Sequence, residues 1–115
     1  MNLAQIFVLN DKKTSIMQHN YFVYILTNSN KTVLYTGVTN DLQQRVHQHE
    51  NMLNPKAFTS KYKCYHLIYF ERFQNIEHAI QQEKRIKGWS RKKKEILITD
   101  FNPNWNFLND EISDL

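Results

Sequence analysis

The stretch YFVYILTNSNKTVLYTG, residues 21–37, predicts a β-hairpin. Two runs rich in β-branched and aromatic residues, at 21–26 and 33–37, flank the polar turn formers at 27–32, and this alternation is typical of two strands joined by a turn. The segment NDLQQR that follows carries the signals of a helix start. Tyr24, Tyr35 and Arg45 are therefore expected close together. Two phenols, a guanidinium and one carboxylate can together catalyse the cleavage of a phosphodiester bond.

Further patterns extend the hairpin into a small α+β domain. A third strand is predicted at about 65–70, with helices at about 41–52, 75–87 and 91–99 and a polar loop at 53–62. The boundary signals are Asn75 and Ser90 as N-caps, Gly88 at the end of the second helix and Asn102-Pro103 after the third. The tail after Pro103 is expected to pack back as irregular structure.

The length of 115 residues suits a single domain with a modest core. Residues 1–16 match nothing in the rest of the pattern, and Met17 stands just before the first strand. We therefore expect a disordered or non-native extension at 1–16 and one domain at 17–115.

Charge and cysteine usage narrow the function. The formal net charge is +4, and seven of the fifteen Lys and Arg residues lie between Lys84 and Lys94. Such a cluster favours a nucleic-acid partner, although a solvated helix face is the alternative. Cys64 is the single cysteine, so no intrachain disulfide or cysteine-based zinc site can form, which favours the cytoplasm. No apolar run approaches the roughly 18 residues of a membrane span.

Two helical faces each contain one ionisable residue among apolar ones. The first comprises Leu42, Val46, His49 and Leu53, and the second comprises Ile76, Ala79, Ile80, Glu83 and Ile86. A carboxylate that faces a core costs several kcal/mol unless it is paired or binds a metal. Arg45 and a divalent cation are the two candidate partners of Glu83.

The hairpin tyrosines, Arg45 and Glu83, taken in this order along the chain, resemble the pattern of the GIY-YIG nuclease superfamily. The superfamily is named for two short motifs about ten residues apart. Here Phe22-Val23-Tyr24 and Tyr35-Thr36-Gly37 are the two motifs, with ten residues between the tyrosines. Phe22 and Thr36 depart from the family pattern. The resemblance covers about residues 20–108 and is closest to small bacterial members, which look like the N-terminal nuclease module of the excision-repair incision subunit.

The resemblance implies a mixed, largely antiparallel three-stranded sheet with flanking helices and a site that uses one divalent metal. Glu83 would bind Mg²⁺ or Mn²⁺ and Arg45 would hold the phosphate. Tyr24 would help to activate water, Tyr35 would orient phosphate or water, and His49 would relay a proton. Asn102 is a tentative member of the site. The general base stays open between Tyr24, His49 and a metal-bound water.

The single-residue alternatives are ordinary ones. Tyr24 and Tyr35 are also plausible strand aromatics, Arg45 a surface residue, His49 a half-buried histidine and Asn102 a turn former. The expected DNA-binding residues are Lys84, Arg85, Lys87, Arg91, Lys92 and Lys93. Tyr62, Tyr65 and Trp89 could stack on an unpaired base, although core packing is the better use of at least two of them.

The predicted function is a metal-dependent DNA endonuclease in repair, recombination or processing. It is expected to be structure-directed or weakly specific, with weak, salt-sensitive binding, no sequence readout and, if it has a preference, one for structured or single-stranded substrates. DNA is the expected partner, and the sequence leaves open whether a separate targeting protein joins it and what the oligomeric state is. The alternatives are a catalytically silent module that binds nucleic acid or protein, and a nuclease that acts on RNA.

Overall fold

The computed structural model describes residues 19–115, and the extension predicted at 1–16 lies outside them. The strands are β1 (Tyr21–Thr27), β2 (Leu34–Thr39) and β3 (His66–Phe73). The helices are α1 (Leu42–Glu50), α2 (Phe58–Lys61), α3 (Ile76–Lys87) and α4 (Arg91–Phe101), followed by a 3₁₀ turn at Asn109–Glu111. Among residues 19–115, no helix has the length and apolar character needed to cross a bilayer.

The three strands form an antiparallel sheet with β1 in the middle. All seven residues of β1 are buried, because both faces of the sheet are covered. The predicted fold class is therefore confirmed, and both strand pairings are antiparallel. β2 runs two residues beyond its predicted end and β3 runs three beyond.

Alternate residues of β1 serve two different cores, as the two-residue period of a strand requires. On one face, Val23 and Ile25 pack with Ala79 and Ile86 of α3 and with Ile98 of α4. On the other face, the even-numbered residues of β1 form a second core. Its members include Phe22, Tyr24, Leu26, Leu42, Val46, Cys64 and Leu67. Tyr24 thus lies in the layer between the sheet and α1.

Side-chain caps start the three longer helices. Asp41 accepts a hydrogen bond from the backbone N–H of Gln44 at 3.0 Å, and Asn75 accepts one from Glu77 at 2.8 Å. Ser90 caps α4 in the same way, so the caps predicted at Asn75 and Ser90 are confirmed. Each cap pairs an N–H group that would otherwise lack a partner within the helix.

The segment after α1 differs from its prediction. α1 ends at Glu50, where the Asn51 side chain donates to the carbonyl of His47 at 2.7 Å and Met52 takes the left-handed φ of 48°. Leu53 consequently leaves the helical face and is 66% exposed. The region predicted as a polar loop contains α2, which is too short to produce a detectable helical period.

The tail covers part of the outer edge of β3, and Asn102 anchors it. The Asn102 amide donates to the carbonyls of Ile68 at 3.0 Å and Asn106 at 2.9 Å, and its Oδ1 accepts from the Asn106 N–H at 3.1 Å. Leu108 adds a backbone hydrogen bond to Leu67. Because its amide is engaged in this way, Asn102 holds the tail, and its tentative place in the site remains a prediction.

Replacing Asn102 with Ala should destabilise the fold by about 1–3 kcal/mol, because buried backbone groups of β3 and the tail would lose their partners. Chemical denaturation followed by circular dichroism measures this. The matched control is Asn104→Ala at an exposed position of the same tail. Equal stability of the two variants would contradict the anchoring role.

Candidate active site

The pairing of β1 with β2 creates the space for the Tyr24 phenol. Tyr24 lies directly opposite Gly37 in the register, and its side chain is fully buried. A Cβ atom at position 37 would overlap Cζ and the hydroxyl of Tyr24. Close packing is therefore the reason for a glycine at position 37. Backbone conformation is not the reason, because the φ of Gly37 is not positive.

The hydroxyl of Tyr24 begins a chain of hydrogen bonds that runs through α1 to α2. Tyr24 Oη lies 3.2 Å from His49 Nε2, and His49 Nδ1 lies 3.0 Å from Thr59 Oγ1. Thr59 is buried, and α2 places it. Sequence reasoning missed Thr59 because it falls in a segment predicted as loop.

Burial and charge control the proton positions in this chain. Burial, and next to it the positive charge of Arg45, lowers the pKa of His49 to about 4. Burial, followed by the charge of Tyr35, raises the pKa of Tyr24 above its usual value, with Glu83 adding to the rise and Arg45 opposing it. His49 is therefore neutral at pH 7. We assign Tyr24 as the donor to Nε2 and Nδ1–H as the donor to Thr59, which satisfies both ring nitrogens.

An open cleft of about 430 Å³ lies beside this chain. Tyr35, Arg45 and His49 line it together with residues of α2 and the loop before α2. The Tyr35 ring centroid is 5.7 Å from that of His49 and 6.4 Å from that of Tyr24. Among residues 19–115, Arg45 makes no ion pair or side-chain hydrogen bond, so its guanidinium is available to an anion in the cleft.

Glu83 has a partner that the sequence did not reveal. Its carboxylate is buried on α3 between Ala79 and Ile86, and its Oε2 lies 2.9 Å from Lys87 Nζ. Of the two candidate partners named for Glu83, Arg45 makes no ion pair with it; Lys87, one turn away on the same helix, holds the carboxylate instead. The charge of Glu83 nevertheless reaches the site, since it contributes to the raised pKa of Tyr24.

The donor set suits only one kind of metal. Residues 19–115 contain no group of three or more His, Cys, Asp or Glu side chains that could hold an ion. Glu83 makes no hydrogen bond or ion pair in that range besides the one with Lys87. A single carboxylate fits a hard cation that keeps most of its water, as Mg²⁺ does, and does not fit a closed structural zinc site.

The predicted DNA-binding residues divide into two groups. Lys84, Arg85, Lys87, Lys92 and Lys93 are exposed along α3 and the start of α4, and Lys93 lies 4.4 Å from the Trp89 ring centroid. Arg91 instead donates to the carbonyls of Lys31 and Thr32 and pairs with Glu95. Its guanidinium docks α4 on the hairpin turn while the residue stays exposed, and its role as a phosphate contact remains a prediction.

Comparison with known proteins gives consistent matches. The family described as the GIY-YIG catalytic domain matches residues 20–95. A protein named UPF0213 from Bacillus pumilus (strain SAFR-032) is 39% identical over 72% of this chain and 83% of its own length. One from Natronomonas pharaonis is 37% identical over 73% of this chain and 96% of its own. A solution NMR structure of a UPF0213 protein from Bacillus halodurans is 26% identical, with a TM-score of 0.47, over 83% of this chain and 96% of that one.

A methyl group at position 37 should push the Tyr24 phenol away from His49. Gly37→Ala is expected to destabilise the protein by about 1–3 kcal/mol through overpacking and to change the NMR signals of the His49 ring. The control is Gly88→Ala, where the nearest atom to the new Cβ is 3.5 Å away and the expected change is a gain of about 0.4–1 kcal/mol. If Gly37→Ala leaves stability and the His49 signals unchanged, the packing argument fails.

Stability should fall as the pH decreases from 6.5 towards 4. In this range the unfolded chain protonates His49 near its usual pKa of 6.5, whereas the folded chain keeps it neutral down to about 4. The unfolded state therefore binds more protons, and the free energy of unfolding decreases with falling pH.

Thermal unfolding at pH 7.5 and pH 5 measures this effect in wild type, in His49→Asn and in the exposed control His47→Asn. The difference between the two pH values should shrink only in His49→Asn. An NMR titration of Arg45→Gln should show a higher His49 pKa, because the cation beside the ring is gone. An identical pH response in all variants would contradict the assignment.

Proposed function

This chain belongs to the GIY-YIG family, and we propose that it is an endonuclease that hydrolyses phosphodiester bonds in DNA with the help of Mg²⁺ or Mn²⁺. The observation that carries the proposal is the hydrogen-bond chain from buried Tyr24 to His49 and Thr59, because His49 and Thr59 line the same cleft as Arg45, whose guanidinium has no partner among residues 19–115. A neutral proton acceptor can assist the attacking water and a cation can stabilise the charge on the phosphate, and the family assigns nucleic acid as the general class of substrate.

Arg45 would hold the scissile phosphate. Its planar guanidinium can form two parallel hydrogen bonds to phosphate oxygens, which fixes the orientation of the phosphate in the cleft. The same charge would stabilise the transition state, in which negative charge accumulates on those oxygens. Tyr35, at the wall of the cleft, would orient the phosphate or the water through its hydroxyl.

Tyr24 and His49 would move the proton of the attacking water together. A free phenolate is costly here because burial raises the pKa of Tyr24. The hydroxyl can avoid that state by passing its own proton to His49 Nε2 while it takes one from water. His49 then acts as the final acceptor. Its lowered pKa makes the imidazolium costly as well, and Thr59 offsets part of that cost by accepting from Nδ1–H.

Glu83 would hold the metal ion. When bound, a divalent cation polarises the phosphate and neutralises charge on the leaving oxygen. The Lys87 ammonium, which now neutralises the carboxylate, would then be free to approach the nucleic-acid backbone. Exposed Lys84, Arg85 and Lys92 extend this basic surface and favour salt-sensitive phosphate contacts without base readout.

The proposed role is in DNA repair, recombination or processing. In that role another protein would supply the targeting that a nuclease of weak intrinsic specificity lacks. RNA contains the same phosphodiester, so the site chemistry serves it equally. A catalytically silent binding module is the second candidate. The Glu83–Lys87 ion pair favours it, because a neutralised carboxylate is a poor metal ligand.

Cleavage of supercoiled plasmid, with Mg²⁺ or Mn²⁺, tests the proposal. Glu83→Gln and Arg45→Ala should each lose roughly 100-fold or more in rate, since each removes several kcal/mol of charge stabilisation. The control Glu77→Gln changes an exposed carboxylate on the same helix and should cut like wild type. Equal cutting by wild type and Glu83→Gln would refute the assigned site. Binding without cutting by wild type would favour the silent module.

A further inference from the structure

Three aromatic rings form a continuous surface that leads out of the cleft, which we call the aromatic shelf: Tyr35, Phe58 and Tyr62. The centroids of Tyr35 and Phe58 are 6.2 Å apart with an interplanar angle of 27°, and those of Phe58 and Tyr62 are 4.6 Å apart. Phe58 is 48% exposed and Tyr62 is 42% exposed. The shelf therefore begins at the wall of the candidate active site and ends in solvent.

Packing does not account for the outer two rings. The residue of α2 that faces the protein interior is Thr59, which is buried and bonded to His49. Phe58 and Tyr62 lie on the outer side and cover each other only in part. Isolated exposed apolar residues are ordinary, whereas a contiguous group beside a cleft marks a binding surface.

The charge around the shelf identifies the kind of occupant. Residues 51–64 contain three lysines and no Asp or Glu. The Nζ of Lys61 lies 5.4 Å from the centroid of the Tyr62 ring, and Arg45 lines the cleft at the other end. Aromatic faces interleaved with cations suit a strand that presents flat bases on a phosphate backbone.

We infer that the shelf stacks an unpaired nucleobase of the strand whose phosphate lies in the cleft, and that this site accordingly selects single-stranded or unpaired segments. A base within an intact duplex already has neighbours on both faces, so it cannot lie against Phe58 unless it leaves the stack. This inference rests on the proposed function for the position of the phosphate. It adds Phe58 and Tyr62 as residues that determine specificity.

Binding without cleavage tests the shelf separately from catalysis. Glu83→Gln protein in EDTA is titrated into a fluorescein-labelled oligothymidylate of about 15 nucleotides and into a duplex of the same length. Phe58→Leu and Tyr62→Leu should each weaken binding of the single strand roughly 10-fold while duplex binding stays the same. Phe101→Leu is the matched control, since Phe101 is also an exposed ring, at 46%, on another surface.

A rescue variant separates stacking from folding. Phe58→Trp keeps an aromatic face and should therefore bind the single strand with higher affinity than Phe58→Leu. Phe58→Trp should also quench the fluorescence of a 2-aminopurine base placed in the strand, whereas Phe58→Leu should not. Thermal unfolding of each variant checks that the fold is intact.

Unchanged single-strand affinity in both leucine variants, or an equal loss for strand and duplex, would overturn the inference. A loss in Phe101→Leu as large as that in Phe58→Leu would do the same. If the leucine variants also lose affinity for an oligouridylate but not for a duplex, the result would support a shelf that stacks the base without contacting the sugar. Failure of plasmid cleavage leaves these binding results standing, so the two proposals fail separately.

Discussion

The close approach of Tyr24 to Gly37 across β1 and β2 is the contact on which the candidate site depends. Because the two residues are paired in the register, the phenol occupies the volume that a side chain at position 37 would fill. This fixes the hydroxyl at hydrogen-bond distance from His49, on the helix that leaves the hairpin. A shift of one residue in the register would turn Tyr24 to the other face of the sheet and dismantle the chain to Thr59.

Electrostatics then give the site its chemical character. Burial, and next to it the positive charge of Arg45, keeps His49 neutral, so its Nε2 can accept a hydrogen bond from Tyr24, and among residues 19–115 no acidic group offsets these two effects. Glu83, the buried carboxylate among residues 19–115, is compensated by Lys87 on its own helix. An uncompensated buried charge would cost several kcal/mol. Among residues 19–115, the site therefore combines an ion pair on α3 with a guanidinium on α1 that has no ion-pair partner.

Local signals predicted much of this architecture. The hairpin, the caps at Asn75 and Ser90 and the amphipathic α3 follow from short-range periodicity and from turn chemistry, which depend on neighbouring residues alone. The end of α1 and the existence of α2 did not follow, because a left-handed Met52 and a four-residue helix leave no periodic pattern. The contacts of Arg91 did not follow either, since a basic residue in a basic run gives no sign of its hydrogen bonds to the distant carbonyls of Lys31 and Thr32.

Short-range patterns in the sequence are enough to predict the strands and the principal helices, because both depend on residues a few positions apart. They also show which charged and phenolic groups the site can draw on. Contacts between distant segments settled which of those groups meet. Thr59 joins His49 through a helix that lies ten residues on, Asn102 holds the edge of β3 across 34 residues, and Phe58 reaches Tyr35 only once α2 has folded back. Such pairings depend on chain reversal and burial in three dimensions, which no local pattern records.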